Sequence, residues 1–456
     1  MVWRRTLLAL SLIVAGARGA AANGRPAATS SIQFRQGHES DVMLGMTFGL
    51  LISHDSGQTW EWMCEDAVGY TGTYDPRYAY SRSGALFATT FDGLKVQRDG
   101  CSFAALPSGL TFVSADTLGA DGAFYYAAAQ TKDDRKPLAQ DFKIYKSTDD
   151  GVTFSPGVTP GDPADVNDWW ETVVVAPSDA QRIYASGYSY MALVPGGESV
   201  RTQLLFRSAD GGASWQPMAT TGLTLAANSV VLIVGIASDD PGHVYARVKL
   251  VDNTVSDAIY VSTNAGETWT EINRKPVAIP AFAVRAALNS QGKHDLVIGT
   301  QVLGAEVSHD DGATWEALVG APHLTCLVEN AAGELWGCTQ NYGASQIPSD
   351  FAGVMKTTDL ATWTKVLRFQ DLTEAVTCAP GTVQHDKCVE LWCAQCEQLG
   401  CKPSPSYGCP MAAEAVVPPK RSGGCCEVGP SGGAGAVALA LMVGTVMRRP
   451  RRRRVP

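Results

Sequence analysis

The chain has 456 residues, of which 45% are hydrophobic, 18% are charged and 46 are glycine. Its formal net charge of −9 argues against a nucleic-acid partner, and its hydrophobic content suffices for a large buried core. The glycine content indicates many tight turns.

The first 22 residues have the features of a secretory signal. Arg4 and Arg5 precede an apolar run at 6–15, and the three alanines at 20–22 offer a small-residue cleavage site. The apolar run is too short to span a bilayer. We therefore predict a signal peptide at 1–22 and an exported protein, whose twelve cysteines meet an oxidising environment.

Seven copies of one turn motif follow, with the pattern Ser-x-Asp-x-Gly-x-Thr-Trp. The best copies begin at Ser53, Ser262 and Ser308, and those at 96–103 and 357–363 are degenerate. The aromatic residues that close the copies are Trp60, Phe103, Phe154, Trp215, Trp269, Trp315 and Trp363. A repeat of about 40–50 residues built from short strands is typical of β-propeller blades. The spacing predicts an all-β chain with a single seven-bladed β-propeller over 31–370.

The third position of the motif carries a carboxylate or amide that can hydrogen-bond the backbone of its own turn. The residues at this position are Asp55, Asp149, Asp210, Asn264, Asp310 and Asp359. The pattern resembles the Asp-box, or BNR repeat, of sialidases, sortilin-type receptors and related propellers. In that family the boxes lie at the periphery, away from the ligand face. The resemblance therefore implies a structural role for these residues rather than a catalytic or metal-binding role, and it implies no cofactor.

A sialidase activity would need further residues. Those enzymes use three arginines, a tyrosine nucleophile paired with a glutamate, and an aspartate acid/base. Arg35, in the sequence Phe-Arg-Gln-Gly, retains the arginine of the family's Phe/Tyr-Arg-Ile-Pro motif but lacks Ile-Pro. Arg182, Arg247 and Arg285 lie on later repeats without an identifying context. We assign no catalytic residue on this basis.

Residues 165–171 combine carboxylates with Trp169 and Trp170. Aromatic rings beside carboxylates suit carbohydrate binding, and paired carboxylates suit glycoside hydrolysis. The alternative is that one tryptophan packs inside a blade and an acid caps a turn.

The segment 377–411 is predicted to be a separate cysteine-rich module, followed by a linker at 412–424. Its cysteines are Cys378, Cys388, Cys393, Cys396, Cys401 and Cys409. The Cys-x-x-Cys pair at 393 and 396 is compatible with a zinc or redox site, but export favours three disulfides, for which fifteen pairings exist. Within the propeller we expect Cys64–Cys101 and Cys326–Cys338.

The C-terminal segment 425–456 begins with Cys425 and Cys426 and continues with an apolar run at 434–447 and an arginine cluster. This arrangement resembles the myxobacterial C-terminal sorting signal, MYXO-CTERM. The resemblance implies that the tail is cut near Cys425 or Cys426 and that the protein reaches the cell surface or outer membrane. The alternative is a plain membrane anchor, for which the apolar helix is short.

These features predict an exported cell-surface binding or structural protein that uses its propeller as a recognition platform. The ligand is an unidentified protein or carbohydrate. The alternative is a secreted glycoside hydrolase of sialidase or xyloglucanase type that acts at the mouth of the propeller channel.

Overall fold

The computed structural model describes residues 25–70, 74–90, 92–106, 113–128, 142–161, 168–190, 201–251, 255–344 and 347–409. These residues form a ring of seven antiparallel sheets, so the predicted seven-bladed propeller is confirmed. The predicted signal peptide, the linker and the sorting tail with Cys425 and Cys426 lie outside the described residues. The described residues up to Cys409 belong to one compact unit.

Each blade is a meander in which consecutive strands pair from the inside of the ring outwards. Blade 1 comprises β1 (Thr29–Arg35), β2 (His38–Met46), β3 (Gly49–Ser53) and β4 (Glu61–Met63). Blade 2 comprises β5 (Tyr78–Tyr80), β6 (Leu86–Thr90), β7 (Gly93–Gln97) and β8 (Phe103–Ala105). Blade 3 comprises β9 (Val113–Leu118), β10 (Phe124–Ala128) and β11 (Ile144–Ser147), with one isolated bridge from Ile144 to Val158 in place of a fourth strand.

The four remaining blades each have four strands. Blade 4 comprises β12 (Asp168–Ala176), β13 (Asp179–Tyr190), β14 (Arg201–Ser208) and β15 (Gln216–Pro217). Blade 5 comprises β16 (Val230–Ile236), β17 (Val244–Val251), β18 (Val255–Ser262) and β19 (Thr270–Lys275). Blade 6 comprises β20 (Ala281–Leu288), β21 (His294–Gly299), β22 (Ala305–Ser308) and β23 (Glu316–Ala317). Blade 7 comprises β24 (Cys326–Glu329), β25 (Leu335–Cys338), β26 (Val354–Thr357) and β27 (Thr364–Leu367).

The innermost strands close the ring. The strand β1 contacts β5, and the contacts continue in chain order through β9, β12, β16 and β20 to β24, which contacts β1. In an antiparallel meander the first and third turns lie at the same end of the sheet. The turn motif connects the third strand to the fourth, so all motif turns lie at one end of the ring, here called the box end. The opposite end, where each innermost strand begins, is called the loop end.

Neighbouring blades pack through large aromatic side chains. Phe87 of blade 2 stacks on Phe124 of blade 3 with ring centroids 4.0 Å apart, and Phe34 of blade 1 meets Trp336 of blade 7 edge-to-face at 5.2 Å. All four rings are partly or fully buried. Aromatic side chains bury a large surface area and have few rotatable bonds. They therefore contribute much of the packing energy between neighbouring sheets.

After blade 7 the chain continues across the junction with blade 1. A 3₁₀ turn (Phe369–Asp371) leads to β28 (Glu374–Ala375), which pairs in parallel with β4 as a fifth strand of blade 1. The outer edge of β28 is covered by Tyr407, whose hydroxyl accepts from the Ala375 N–H and donates to the Ala375 carbonyl, both at 2.8 Å. A covered edge is protected against pairing with another chain.

Helices occupy parts of this segment and of the connection from blade 1 to blade 2. They are α1 (Glu65–Val68), a π-helical turn (Gln384–Cys388), α2 (Val389–Leu399) and a 3₁₀ turn (Pro405–Tyr407). Trp392 of α2 is fully buried and stacks on Trp62 of β4. Gln384 Nε2 donates to the Trp62 carbonyl at 3.0 Å. Among the residues that the structure describes, no helix has the length and apolar character needed to cross a membrane.

The disulfides differ from two sequence-based expectations. Cys326 pairs with Cys338, as expected, but Cys64 pairs with Cys388 and Cys101 with Cys378, so the expected Cys64–Cys101 pairing is wrong. The remaining disulfides are Cys393–Cys409 and Cys396–Cys401. The expected three disulfides inside the cysteine-rich segment are therefore also wrong. The reason is that this segment packs on blades 1 and 2, where the Trp62–Trp392 contact places the Cys64 and Cys388 Cα atoms 5.5 Å apart.

Candidate functional site

The motif turns at the box end are held by a repeated set of hydrogen bonds. At 308–315, Ser308 Oγ and the Thr314 N–H both donate to Asp310 Oδ1 at 2.8 Å, and Thr314 Oγ1 donates to Asp310 Oδ2 at 2.7 Å. The Gly312 N–H donates to Ser308 Oγ at 2.7 Å. The carboxylate thus satisfies donors of its own turn, as its position in the motif predicts.

The same bonds recur around Asp55, Asp149 and Asp210. In blade 5, Asn264 Oδ1 takes the two acceptor roles, and Asn264 Nδ2 donates to Thr268 Oγ1 at 2.9 Å. In the short copy of blade 7, Asp359 Oδ1 accepts from the Thr362 N–H at 2.7 Å. Hydrogen bonds from the side chain and N–H of the seventh residue of the motif, Thr153 or Ser214, hold the pKa of Asp149 and Asp210 at about 2.

The arginines singled out in the sequence do not converge. Arg35 is paired with Asp41 at 2.8 Å, Arg247 with Asp257 at 2.6 Å, and Arg285 with Glu329 at 2.9 Å. Arg182 lies in β13. The four therefore belong to blades 1, 5, 6 and 4, and three of them neutralise a local carboxylate. The described residues contain no cluster of these four arginines that could clamp one carboxylate.

The acid–aromatic segment is only partly described, because 162–167 lie outside the described residues. Trp170 is fully buried and its Nε1 donates to the Phe142 carbonyl at 2.8 Å. Trp169 packs beside Tyr188. These rings pack within and between blades, which is the structural alternative. Glu171, however, is paired with a residue of another blade, Arg77.

Glu171 forms an ion pair across the loop end of the channel. Arg77, directly before β5 of blade 2, places its Nη2 atom 3.5 Å from Glu171 Oε2, in β12 of blade 4. Blades 2 and 4 are not neighbours, so this pair passes in front of blade 3. Both residues lie where innermost strands begin, which places the pair at the mouth of the channel.

Two further charged side chains lie close to this pair. Asp116 is in β9 of blade 3, the blade that the pair passes, and its Oδ2 is buried without a hydrogen-bond partner. Lys249 is near the loop end of β17 in blade 5, opposite Val230 of the innermost strand. We call Arg77, Asp116, Glu171 and Lys249 the mouth cluster. It draws one side chain from each of four consecutive blades.

The surroundings change the ionisation of the mouth cluster. Burial raises the pKa of Asp116 to about 7, and the charge of Arg77 opposes this shift only in part. Burial lowers the pKa of Lys249, as does Arg247, whereas Glu171 and Asp257 act in the opposite direction. Partly buried groups with shifted pKa values are typical of functional sites, although structural ion pairs also produce them.

Open grooves also lie elsewhere on the described part of the chain. One of about 570 Å³ runs between the motif turn of blade 1 and the segment after blade 7, and includes His54, Arg368 and Glu374. Another, of about 400 Å³, lies between blades 1 and 2 and includes Arg35 and Arg98. Within the described part of the chain, no group of three or more His, Cys, Asp or Glu side chains is arranged to hold a metal ion.

Sequence reasoning singled out Glu171 but missed Arg77, Asp116 and Lys249. None of these three lies in a motif, and their spacing along the chain carries no signal. The feature of the sequence that could have identified them is their position, because each of these charged residues lies within or next to an apolar strand. Only the convergence of innermost strands brings them together.

The comparisons with known proteins concern the fold. No protein-family model matches the chain, and no curated protein matches its sequence significantly. Among solved structures, an ancestral GH74 enzyme is 14% identical with a TM-score of 0.49, over 69% of this chain and 44% of that one. The extracellular domain of a one-component system of B. thetaiotaomicron is 12% identical with a TM-score of 0.47, over 69% and 37%.

The GH74 xyloglucanase of Xanthomonas campestris is 17% identical with a TM-score of 0.35, over 75% of this chain and 58% of that one. This chain thus spans less than two thirds of the length of each of the three proteins. At such identities the similarity is one of fold alone.

Proposed function

We propose that this chain is an exported cell-surface binding protein that recognises a carbohydrate at the loop-end mouth of its channel. The observation that carries the proposal is the mouth cluster. A propeller is held together by apolar contacts between blades, and desolvating charged side chains is costly. Four charged residues from four blades at one opening are better explained by a ligand that they bind than by folding.

A hydroxyl-rich ligand fits this opening. Arg77 offers several N–H donors, of which only some face Glu171 at 3.5 Å. Asp116 Oδ2 is a buried oxygen without a partner, and a carboxyl that is protonated near pH 7 both donates and accepts. Sites of this kind gain affinity when a ligand satisfies polar groups that the protein leaves unpaired.

Binding is favoured over hydrolysis because two carboxylates near the mouth, Glu171 and Asp257, are engaged. Glu171 is paired with Arg77, and the nearby Asp257 is held by Arg247 at 2.6 Å and by the Ile279 N–H at 2.7 Å. A general base needs an accessible lone pair in reach of its substrate.

One observation favours the glycoside hydrolase alternative. Asp116 has a pKa raised to about 7, while Glu171 lies beside the cation Arg77. Two carboxyls in one opening, one of them with a raised pKa, are what an acid and a base or nucleophile require. In this alternative Asp116 protonates the leaving oxygen and Glu171 acts on the sugar ring.

Export is supported by the five disulfides of the described residues, since disulfides form and persist in oxidising compartments. The predicted signal peptide and sorting tail remain proposals, as does anchoring to the outer membrane. No nucleic-acid partner is proposed.

The test is a glycan array of neutral and acidic oligosaccharides, run beside reducing-end assays on xyloglucan and on sialylated glycans. The proposal expects selective binding without release of products. Product release that Asp116→Asn abolishes would replace it with the hydrolase alternative. The absence of any glycan binding or hydrolysis would contradict both, and would point to a protein ligand.

A further inference from the structure

The first and last blades are joined by little backbone pairing. The four antiparallel strands of blade 1 come from one continuous stretch of chain and those of blade 7 from another, and β1 lies against β24 and β25 without pairing to them. Among the described strands, the ladder that crosses this junction is the two-residue parallel pairing of β28 with β4. The segment after Leu367 crosses this junction.

The crossing segment contacts three blades in turn. Tyr342 of blade 7 donates its hydroxyl hydrogen to the Leu399 carbonyl of α2 at 2.5 Å. On blade 1, Trp392 stacks on Trp62 at 5.2 Å. The contact with blade 2 is the Cys101–Cys378 disulfide.

The disulfides link this crossing segment covalently to blades 1 and 2, so the backbone between the linked cysteines is bypassed. Cys64 and Cys388 are 324 residues apart in sequence, and Cys101 and Cys378 are 277 apart. A tension between the two ends of the chain passes from Cys64 directly to Cys388, so residues between them carry no load. Cys393–Cys409 makes the same shortcut around most of α2 and the turn that follows.

We propose that the segment 368–409 is a load-bearing clasp, which transmits force from the C-terminal end into blade 1 through Cys64, holds blade 2 through Cys101 as a second attachment, and shields blades 3 to 7 from the force. The inference goes beyond the proposed function and does not depend on it. A protein held by its C-terminal end while its propeller holds a ligand experiences this kind of load.

The clasp makes a quantitative prediction for single-molecule pulling. The pulling handles are attached to azide-bearing unnatural amino acids that replace Pro26 and Ser406. Both positions are exposed. With all disulfides intact, only about 50 residues between the handles can extend, which is about 17 nm at 3.3–3.6 Å per residue. If neither long-range disulfide is present, roughly 360 residues between the handles can extend, which corresponds to about 125 nm.

Removing the disulfides one at a time gives intermediate lengths. The double variant Cys64→Ala/Cys388→Ala should extend by about 95 residues, or about 33 nm, because Cys101–Cys378 then takes the load. Removing this second pair as well should give the full length. The matched control is Cys326→Ala/Cys338→Ala, which lacks a disulfide inside the bypassed region and should extend like the wild type.

If a cysteine variant fails to fold, the disulfides of the folded wild type are reduced during the pulling experiment instead. The folded wild type is first extended under oxidising conditions, and a phosphine reductant is then added at constant force. Two steps in succession, the shorter first, support the clasp. An oxidised wild type that extends well beyond about 17 nm would overturn it.

Discussion

The indole rings of Trp62 and Trp392 stack with centroids 5.2 Å apart and planes inclined by 29°. The first lies in the outer strand of blade 1 and the second in the helix of the C-terminal segment, and both are buried. This contact explains why the cysteine-rich segment is joined to the propeller rather than stapled only to itself.

Replacing Trp392 should therefore weaken the whole unit. We expect Trp392→Ala to lower the free energy of unfolding by about 3–5 kcal/mol, since it deletes a fully buried ring and leaves a cavity. Trp392→Phe keeps an aromatic ring at this position and should cost clearly less. Chemical denaturation monitored by fluorescence measures both. Equal losses in the two variants would show that ring stacking is not what holds the segment.

The turn motif should tolerate an amide but not a methyl group. Asp310→Ala removes the acceptor of two hydrogen bonds at 2.8 Å and one at 2.7 Å, so the Tm should fall by a few degrees. Asp310→Asn should lose less, because Asn264 holds the equivalent turn of blade 5 with the same acceptors. Scanning calorimetry compares the two variants. If both were as stable as the wild type, the carboxylate would not organise this turn.

The glycine of the motif should resist substitution for reasons of both backbone and packing. Gly312 has φ +91°, and an added Cβ would lie 2.8 Å from Ile272 Cβ. We expect Gly312→Ala to destabilise by roughly 2–4 kcal/mol. Gly320 has φ +86° with nothing within 4 Å, so Gly320→Ala should show only the smaller backbone cost. Equal effects in urea unfolding would mean that the contact with Ile272 is relieved without cost.

Stability should fall as the pH rises from about 4 to about 7. Burial raises the pKa of Asp116 and of Glu65 to about 7, so the folded chain holds protons there that the unfolded chain releases above its ordinary pKa. This contribution is fully present below about pH 4 and is lost as the pH approaches 7. Asp116→Asn should remove part of this decrease in stability, and Glu65→Gln should remove the remainder. A pH profile of Tm that neither change alters would contradict the assignment.

At low pH the motif turns should have the opposite effect on stability, which should fall as the pH falls. The pKa of Asp149 and Asp210 is lowered to about 2, so the stability they contribute is present above their ordinary pKa of about 4 and is lost as the pH falls towards 2. Asp149→Asn/Asp210→Asn should lose less stability than the wild type between pH 4 and pH 2. Parallel acid titrations followed by circular dichroism measure the difference.

The blade count was readable from the sequence because each motif copy marks one turn, and the turn's hydrogen bonds involve only residues within the copy. The long-range disulfides were not readable, because Cys64 and Cys388 are brought together by the packing of Trp392 on Trp62. The same limit applies to the mouth. Arg77 and Glu171 are neighbours only because innermost strands of non-adjacent blades face one channel, and no local pattern records that.

A ligand site at the loop end can be tested by comparing the affinities of two charge-matched double variants for the best glycan from the array. Arg77→Ala/Lys249→Ala removes two cations of the mouth cluster. Arg98→Ala/Lys293→Ala removes two exposed cations of the box end, which pair with Asp150 and Asp311. Isothermal titration should show a Kd raised at least about tenfold, or 1.4 kcal/mol, for the first variant and unchanged for the second. Wild-type affinity in the mouth variant, or an equal loss in both, would contradict a ligand site at the loop end of the channel.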